Sequence, residues 1–200
     1  MTAPFDYPVE PHRRRHGPLG YSDYSLCRPW VRDEFDFRCV YCLQREQWGK
    51  LRGVYALDHF VPVAARPDLA AVYDNLVYAC ITCNGAKGAQ ILPDPLSALV
   101  RSSVSVGEDG TIHARTPEAL ELVRSLGLDS PEYVEFRSLW IGIVALAARA
   151  DEALHRRLMS YPDDLPDLRP LDPPGGNSRL GGVAGSAHAR RDRCELPPTY

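Results

Sequence analysis

Two pairs of cysteines, each pair separated by two residues, constrain this chain more than any other feature. Cys39 and Cys42 form the first pair, and Cys80 and Cys83 form the second. Each pair places two thiols on one tight turn, which is the arrangement that tetrahedral zinc sites use. The sequence therefore predicts a structural Zn²⁺ ion held by four thiolates, with no coordination position left open for chemistry.

Other uses of the cysteines remain as alternatives. The two pairs also suit disulfide bonding or a redox-active thiol pair. The start of the chain is polar and basic and has no apolar core typical of a secretory signal, so we expect a cytoplasmic protein whose thiols stay reduced. Cys27 and Cys194 are left over and receive no assigned role.

Composition limits the classes of protein that fit. The chain has 200 residues, of which 44% are hydrophobic and 24% are charged, and its formal net charge is −3. These values are ordinary for a single globular domain and exclude collagen-like, coiled-coil and wholly disordered chains. They also exclude a protein that coats nucleic acid by bulk positive charge. No apolar run approaches the length that spans a bilayer, so no membrane partner is expected.

Four segments differ in character. Residues 1–20 are rich in proline and basic side chains, and residues 161–200 contain seven prolines and five glycines, so both are predicted to be disordered. Residues 21–96 form the cysteine-containing domain. Residues 97–160 are predicted to be a β-hairpin followed by two helices, because Thr116 and Ser130 each precede a proline and a glutamate, a typical helix start. The second helix is predicted to continue to Met159.

Polar residues between and after the cysteine pairs carry groups suited to phosphodiester hydrolysis. Asp58 and His59 are adjacent, Asn75 lies shortly before the second pair, and Asn84 and Lys87 follow it. Imidazole accepts a proton near neutral pH, which makes His59 a candidate general base. Carboxylate and amide oxygens are hard ligands that suit Mg²⁺ or Mn²⁺.

This ordered set resembles the HNH endonuclease family over about residues 37–92. The resemblance implies an α+β fold with a ββα-metal finger, and Asn84 stands where the family's last histidine is expected, as in an H-N-N variant. It further implies that Asp58 and Asn84 hold a catalytic Mg²⁺ or Mn²⁺, that Asn75 braces the loop carrying the base, and that Lys87 contacts a phosphate. Adjacent strand residues point to opposite faces, so the family arrangement requires Asp58 and His59 to lie at a strand end.

Each of these residues also has a structural interpretation. His59 is then a half-buried histidine, Asp58 caps a turn, Asn84 caps the helix after the second pair, and Lys87 is an ordinary surface lysine. Asn75 has a structural role under both interpretations.

The expected activity is metal-dependent hydrolysis of double-stranded DNA. One finger has one active site, so a monomer nicks a single strand, and a double-strand break requires a homodimer or a partner protein. Residues 11–52 carry nine Lys and Arg against five Asp and Glu, which suits a phosphate-binding face. The alternative functions are a catalytically silent zinc-stabilised module that binds nucleic acid or protein, and a redox protein.

Overall fold

The chain is a mixed α/β protein with two small antiparallel sheets. The computed structural model describes residues 3–48 and 54–200. Helices α1–α8 are Arg28–Glu34, Ile81–Lys87, Pro95–Ala98, Pro117–Ser125, Pro131–Ala150, Glu152–Met159, Gly181–Ala184 and Ala187–Asp192. Strands β1–β4 are Tyr55–His59, Leu76–Cys80, Val104–Val106 and Ile112–Ala114. Among the described residues, no helix is both long enough and apolar enough to cross a membrane.

Strands β1 and β2 pair in antiparallel register, with Tyr55 opposite Cys80 and His59 opposite Leu76. Every residue of β2 is buried, so this strand lies in the core. It passes directly into α2, whose N-cap is Cys80. The second cysteine pair therefore lies at a strand-to-helix junction, where its position is fixed by both elements.

Strands β3 and β4 form the second sheet, a hairpin whose turn packs against α5. Gly110 in this turn has a φ of +85°, a region that glycine adopts without a Cβ penalty. A Cβ at this position would lie 2.3 Å from the carbonyl oxygen of Val134 and 2.6 Å from the amide nitrogen of Ser138. Both the backbone conformation and the close approach of the helix thus require glycine here.

The helix predicted over residues 131–159 is divided in the structure. Asp151 has an extended backbone, with φ −151° and ψ 91°, and it separates α5 from α6. Its side chain accepts a hydrogen bond from the backbone N–H of Leu154. An aspartate satisfies the free amide groups of a helix start, so Asp151 begins a new helix instead of continuing the old one.

Residues in both chain ends, which composition predicts to be disordered, pack against the domain. Phe5 and Tyr7 are buried in the main core, and His16 has no exposed surface. Near the other end, Leu165 and Leu168 are buried, and Leu168 belongs to the main core. Composition indicated too few apolar residues to order these segments, but polar contacts to the domain supply much of their attachment.

Two buried carboxylates on α1 hold these ends. Glu34 accepts hydrogen bonds from the backbone N–H groups of Arg15 and His16 at 2.8 and 3.0 Å, and its Oε1 lies 2.7 Å from His12 Nε2. Asp33 Oδ2 lies 2.8 Å from His16 Nε2, and its Oδ1 accepts from the backbone N–H of Ala187 at 2.7 Å. Buried carboxylates are stable only when they are paired in this way, so α1 and the two ends depend on one another.

The same contacts alter the role predicted for the basic N-terminal run. The Arg15 guanidinium donates to the backbone carbonyl of Glu34, and the Arg14 guanidinium donates to the carbonyls of Asp74 and Leu76. These two guanidinium groups therefore tie down parts of the same chain. A phosphate-binding face in this region stays a prediction.

We expect Glu34→Gln to lower the free energy of unfolding by about 3 kcal/mol at neutral pH. Burial raises the pKa of Glu34, but hydrogen bonds from His12 and from the backbone of Arg15 and His16 outweigh burial and hold the pKa at about 2. A carboxylate with a lowered pKa stabilises the fold above its unfolded pKa of 4.5, and this contribution is lost as the pH falls towards 2.

Urea unfolding measures this effect. The difference in unfolding free energy between wild type and Glu34→Gln is followed as the pH is lowered. Any effect of zinc release that is common to both proteins then cancels. The exposed Glu10 in the same segment supplies the control, and Glu10→Gln should unfold like wild type. Equal unfolding free energies for wild type and Glu34→Gln at neutral pH would contradict the assignment.

Candidate functional site

The four paired cysteines come together in a buried cluster. One Sγ atom from each of Cys39, Cys42, Cys80 and Cys83 lies within 4.8 Å of the others, and all four thiols are free. The Sγ atoms of Cys42 and Cys80 are 3.7 Å apart. A tetrahedral zinc ion with Zn–S bonds of about 2.3 Å requires sulfur separations of about 3.8 Å. The cluster therefore fits a structural zinc site.

Backbone hydrogen bonds shape the first cysteine turn and attach it to the strand that carries the second. The N–H of Leu43 donates to the carbonyl of Cys39 at 3.0 Å, and Leu43 has a φ of +60°. The N–H of Val40 donates to the carbonyl of Tyr78 on β2 at 2.8 Å. In the second turn, the N–H of Cys83 points at Cys80 Sγ at 3.4 Å. The two turns are thus fixed relative to each other by the fold.

The four thiols perturb one another strongly. Hydrogen bonding with Cys39 raises the pKa of Cys42 and of Cys83 and lowers the pKa of Cys80. Four buried thiolates cannot coexist without a compensating positive charge, so protons occupy some of the sites when no cation is bound. A divalent ion replaces those protons, and zinc binding therefore weakens as the pH falls.

A tyrosine from a distant helix contacts this cluster. The Tyr133 hydroxyl on α5 lies 3.2 Å from Cys83 Sγ, and hydrogen bonds to ligand atoms orient metal ligands. Sequence reasoning did not identify Tyr133, because its sequence neighbourhood indicates only the start of a helix.

Asp58 and Lys87 form a buried ion pair. Lys87 Nζ lies 3.0 Å from Asp58 Oδ1, and their side chains are 1% and 4% exposed. The same ammonium group donates to the backbone carbonyl of His59 at 2.8 Å. Asp58 Oδ2 accepts a hydrogen bond of 2.6 Å from the hydroxyl of Tyr41, which lies between the first two cysteines. The two residues therefore face the interior of the domain, not a phosphate in solvent.

His59 is the last residue of β1 and points away from Asp58. Its Nε2 lies 2.9 Å from the backbone carbonyl oxygen of Ala70. The ring packs edge-on against Tyr24, with 4.6 Å between the ring centroids. Asp58 and His59 are adjacent within a strand and so lie on opposite faces, as regular strand geometry requires.

Asn75 holds the segment that follows β1. Its Oδ1 accepts from the backbone N–H of Val61 at 2.8 Å, and its Nδ2 donates to the carbonyls of Val61 and Leu69 at 3.0 and 3.3 Å. Its own carbonyl accepts from the N–H of Phe60 at 2.9 Å. These bonds hold the backbone that follows His59, and they also hold Leu69, the residue before Ala70.

The divalent-cation site predicted at Asp58 and Asn84 does not fit these positions. Both carboxylate oxygens of Asp58 accept hydrogen bonds, and a lysine ammonium already lies beside one of them. Asn84 lies on α2 and is partly exposed. Among the described residues, no hydrogen bond joins the side chains of Asp58, His59 and Asn84. The structure instead pairs Asp58 with Lys87 and places Asn75 against the loop after His59.

Zinc removal is expected to unfold the cysteine-containing region, because structural zinc contributes folding free energy directly. Metal analysis should find one Zn²⁺ per chain. Substituting Co²⁺ should produce thiolate-to-metal absorption typical of four-sulfur coordination. Cys83→Ala should lose most of the bound metal and the cooperative unfolding transition.

A buried cysteine outside the cluster supplies the matched control for this test. Cys27 is buried and does not belong to the four-thiol group. Burial raises its pKa to about 11, which keeps it as an unreactive thiol. Cys27→Ala should therefore keep a full complement of zinc. Equal metal content in wild type and Cys83→Ala would exclude a four-cysteine site.

Comparisons with known proteins found no similar protein, so the assignment of a function rests on the residues described above. No protein-family model matches the chain, and neither the curated proteins nor the solved structures contain a match.

Proposed function

We propose that this chain is a zinc-stabilised hydrolase of DNA phosphodiester bonds, similar to HNH endonucleases, in which His59 accepts a proton from the attacking water. The contact between His59 Nε2 and the Ala70 carbonyl carries the proposal. A carbonyl oxygen only accepts hydrogen bonds, so Nε2 carries the proton in this contact. The neutral ring then presents Nδ1 as its basic nitrogen.

The surroundings of His59 support this role. No hydrogen bond from a described residue occupies Nδ1, whereas Nε2 is engaged, which is how a histidine is held in one tautomer for general-base catalysis. The neighbouring Tyr24 is 41% exposed, so the histidine lies close to the surface. Asn75 keeps the loop and the Ala70 carbonyl in place through Val61 and Leu69.

The cysteine cluster supports the proposal by fixing the strand that carries the base. Zinc bound at Cys80 and Cys83 would hold the end of β2, and β2 pairs with β1 along its whole length up to His59. Zinc would supply rigidity there and no reaction chemistry, because four thiolates fill its coordination shell. The proposed base thus stands on a preorganised framework, which catalysis requires.

A second candidate function is a silent zinc-stabilised module that binds nucleic acid or protein. The burial of the Asp58–Lys87 pair favours it, because this pair removes the carboxylate expected to serve catalysis. The two candidates predict different results in one assay, in which zinc-loaded protein is incubated with supercoiled plasmid in the presence of Mg²⁺ or Mn²⁺.

Wild type should nick the plasmid, and His59→Ala should reduce the rate by roughly 10²–10⁴-fold, which is the usual contribution of a general base. His113→Ala is the control, since His113 is an exposed histidine on β4. It should nick at the wild-type rate. Equal nicking by wild type and His59→Ala would refute the role of the base, and a wild-type protein that binds plasmid without nicking it would support the silent module.

Asn75→Ala should slow nicking by roughly tenfold or more while leaving plasmid affinity close to that of wild type, because a misplaced base affects the chemical step. Asn75→Asp keeps an oxygen that accepts from Val61 but loses the amide that donates to Leu69, so we expect an intermediate rate. A gel-shift assay gives the affinity, and the rate is measured at saturating protein. Loss of affinity without loss of rate would contradict a positioning role for Asn75.

A further inference from the structure

Two oxygen atoms converge on the Lys87 ammonium group in the interior of the domain. Asp58 Oδ1 lies 3.0 Å from Nζ, and the backbone carbonyl oxygen of His59 lies 2.8 Å from it. Carboxylate and carbonyl oxygens are also the atoms that bind hard divalent cations. The lysine thus takes the place that a metal ion would otherwise occupy between these two oxygens.

Lys87 is held firmly in this place. Its side chain is 1% exposed, and it lies in the last turn of α2, a helix whose N-cap is Cys80 and which contains Cys83. The cysteine cluster therefore fixes the start of the helix whose end carries the ammonium group. Withdrawing Lys87 would leave a buried carboxylate without its counter-charge, which is strongly unfavourable.

A divalent ion at Asp58 would have to overcome this arrangement. Mg²⁺ binds oxygen at about 2.0–2.1 Å and keeps several waters, whereas Asp58 is 4% exposed and its other oxygen is engaged by Tyr41. The ion would also lie next to a like charge in a region of low dielectric. Desolvation and repulsion both oppose its binding.

We propose that the Lys87 ammonium is the resident cation of this site, that Asp58 binds no divalent ion in the wild-type protein, and that removing the ammonium creates a divalent-cation site between Asp58 and the His59 carbonyl. The same ammonium also holds the backbone carbonyl of His59 from the interior. The inference concerns ion binding, and it stands whether or not the chain cleaves DNA.

The test follows the ¹³C signal of the Asp58 carboxyl carbon in zinc-loaded protein as Mg²⁺ is added to millimolar concentration. In wild type, the signal should not move in a saturable way. In Lys87→Met, it should move with saturation, and the affinity for Mg²⁺ should exceed that of wild type by roughly tenfold or more. Lys87→Met/Asp58→Asn is the matched control, because it removes both charges, and it should bind no ion there.

Three results would overturn the proposal. A saturable shift of the Asp58 signal in wild type would show that the carboxylate binds Mg²⁺ beside the lysine. Folded, zinc-loaded Lys87→Met without a shift would show that the two oxygens form no cation site. Equal Mg²⁺ binding by Lys87→Met and by the double variant would place the ion elsewhere. If Lys87→Met does not fold, the wild-type titration still tests whether Asp58 binds Mg²⁺ beside the lysine, and a saturable shift there overturns the proposal.

Discussion

The close approach of four cysteine thiols is the constraint on which the rest of this domain depends. It joins the turn after α1 to the junction of β2 and α2, two regions that are far apart in the sequence. Buried thiols at this spacing repel one another once ionised, so the fully ionised cluster would need a bound cation. His59 lies at the end of β1, which pairs with the strand that carries the second cysteine pair.

Local sequence patterns predicted some elements well and others poorly. The cysteine spacing indicated the metal cluster, and Thr116 and Ser130 each cap a helix as their sequence context suggests. The break at Asp151 was not predicted, because a helix-compatible apolar pattern continues on both sides of it. The contacts that the two chain ends make with buried acids such as Asp33 were not predicted either, since composition reports apolar content and not specific bonds.

The candidate site shows a similar division. Asn75 has backbone contacts on both sides of the loop, in keeping with its expected bracing role, and His59 lies beside that loop. Among the described residues, no hydrogen bond joins the side chains of Asp58, His59 and Asn84, and strand alternation directs Asp58 inward. Once it is buried, Asp58 needs a counter-charge, and Lys87 and Tyr41 satisfy it. No sequence motif indicates that the side chains of Asp58, Lys87 and Tyr41 come into contact, since these contacts depend on the folded arrangement.

Tyr41 contacts several parts of this protein at once. The residue lies in the first cysteine turn, and its hydroxyl donates a hydrogen bond to the carboxylate of Asp58. Its backbone carbonyl accepts a hydrogen bond from the Tyr7 hydroxyl at 2.6 Å. One residue therefore connects the cysteine cluster, the buried ion pair and the N-terminal segment. Because these contacts share one residue, few partly folded states are expected. His59 and the four clustered cysteines should acquire their final environments in a single cooperative step of folding.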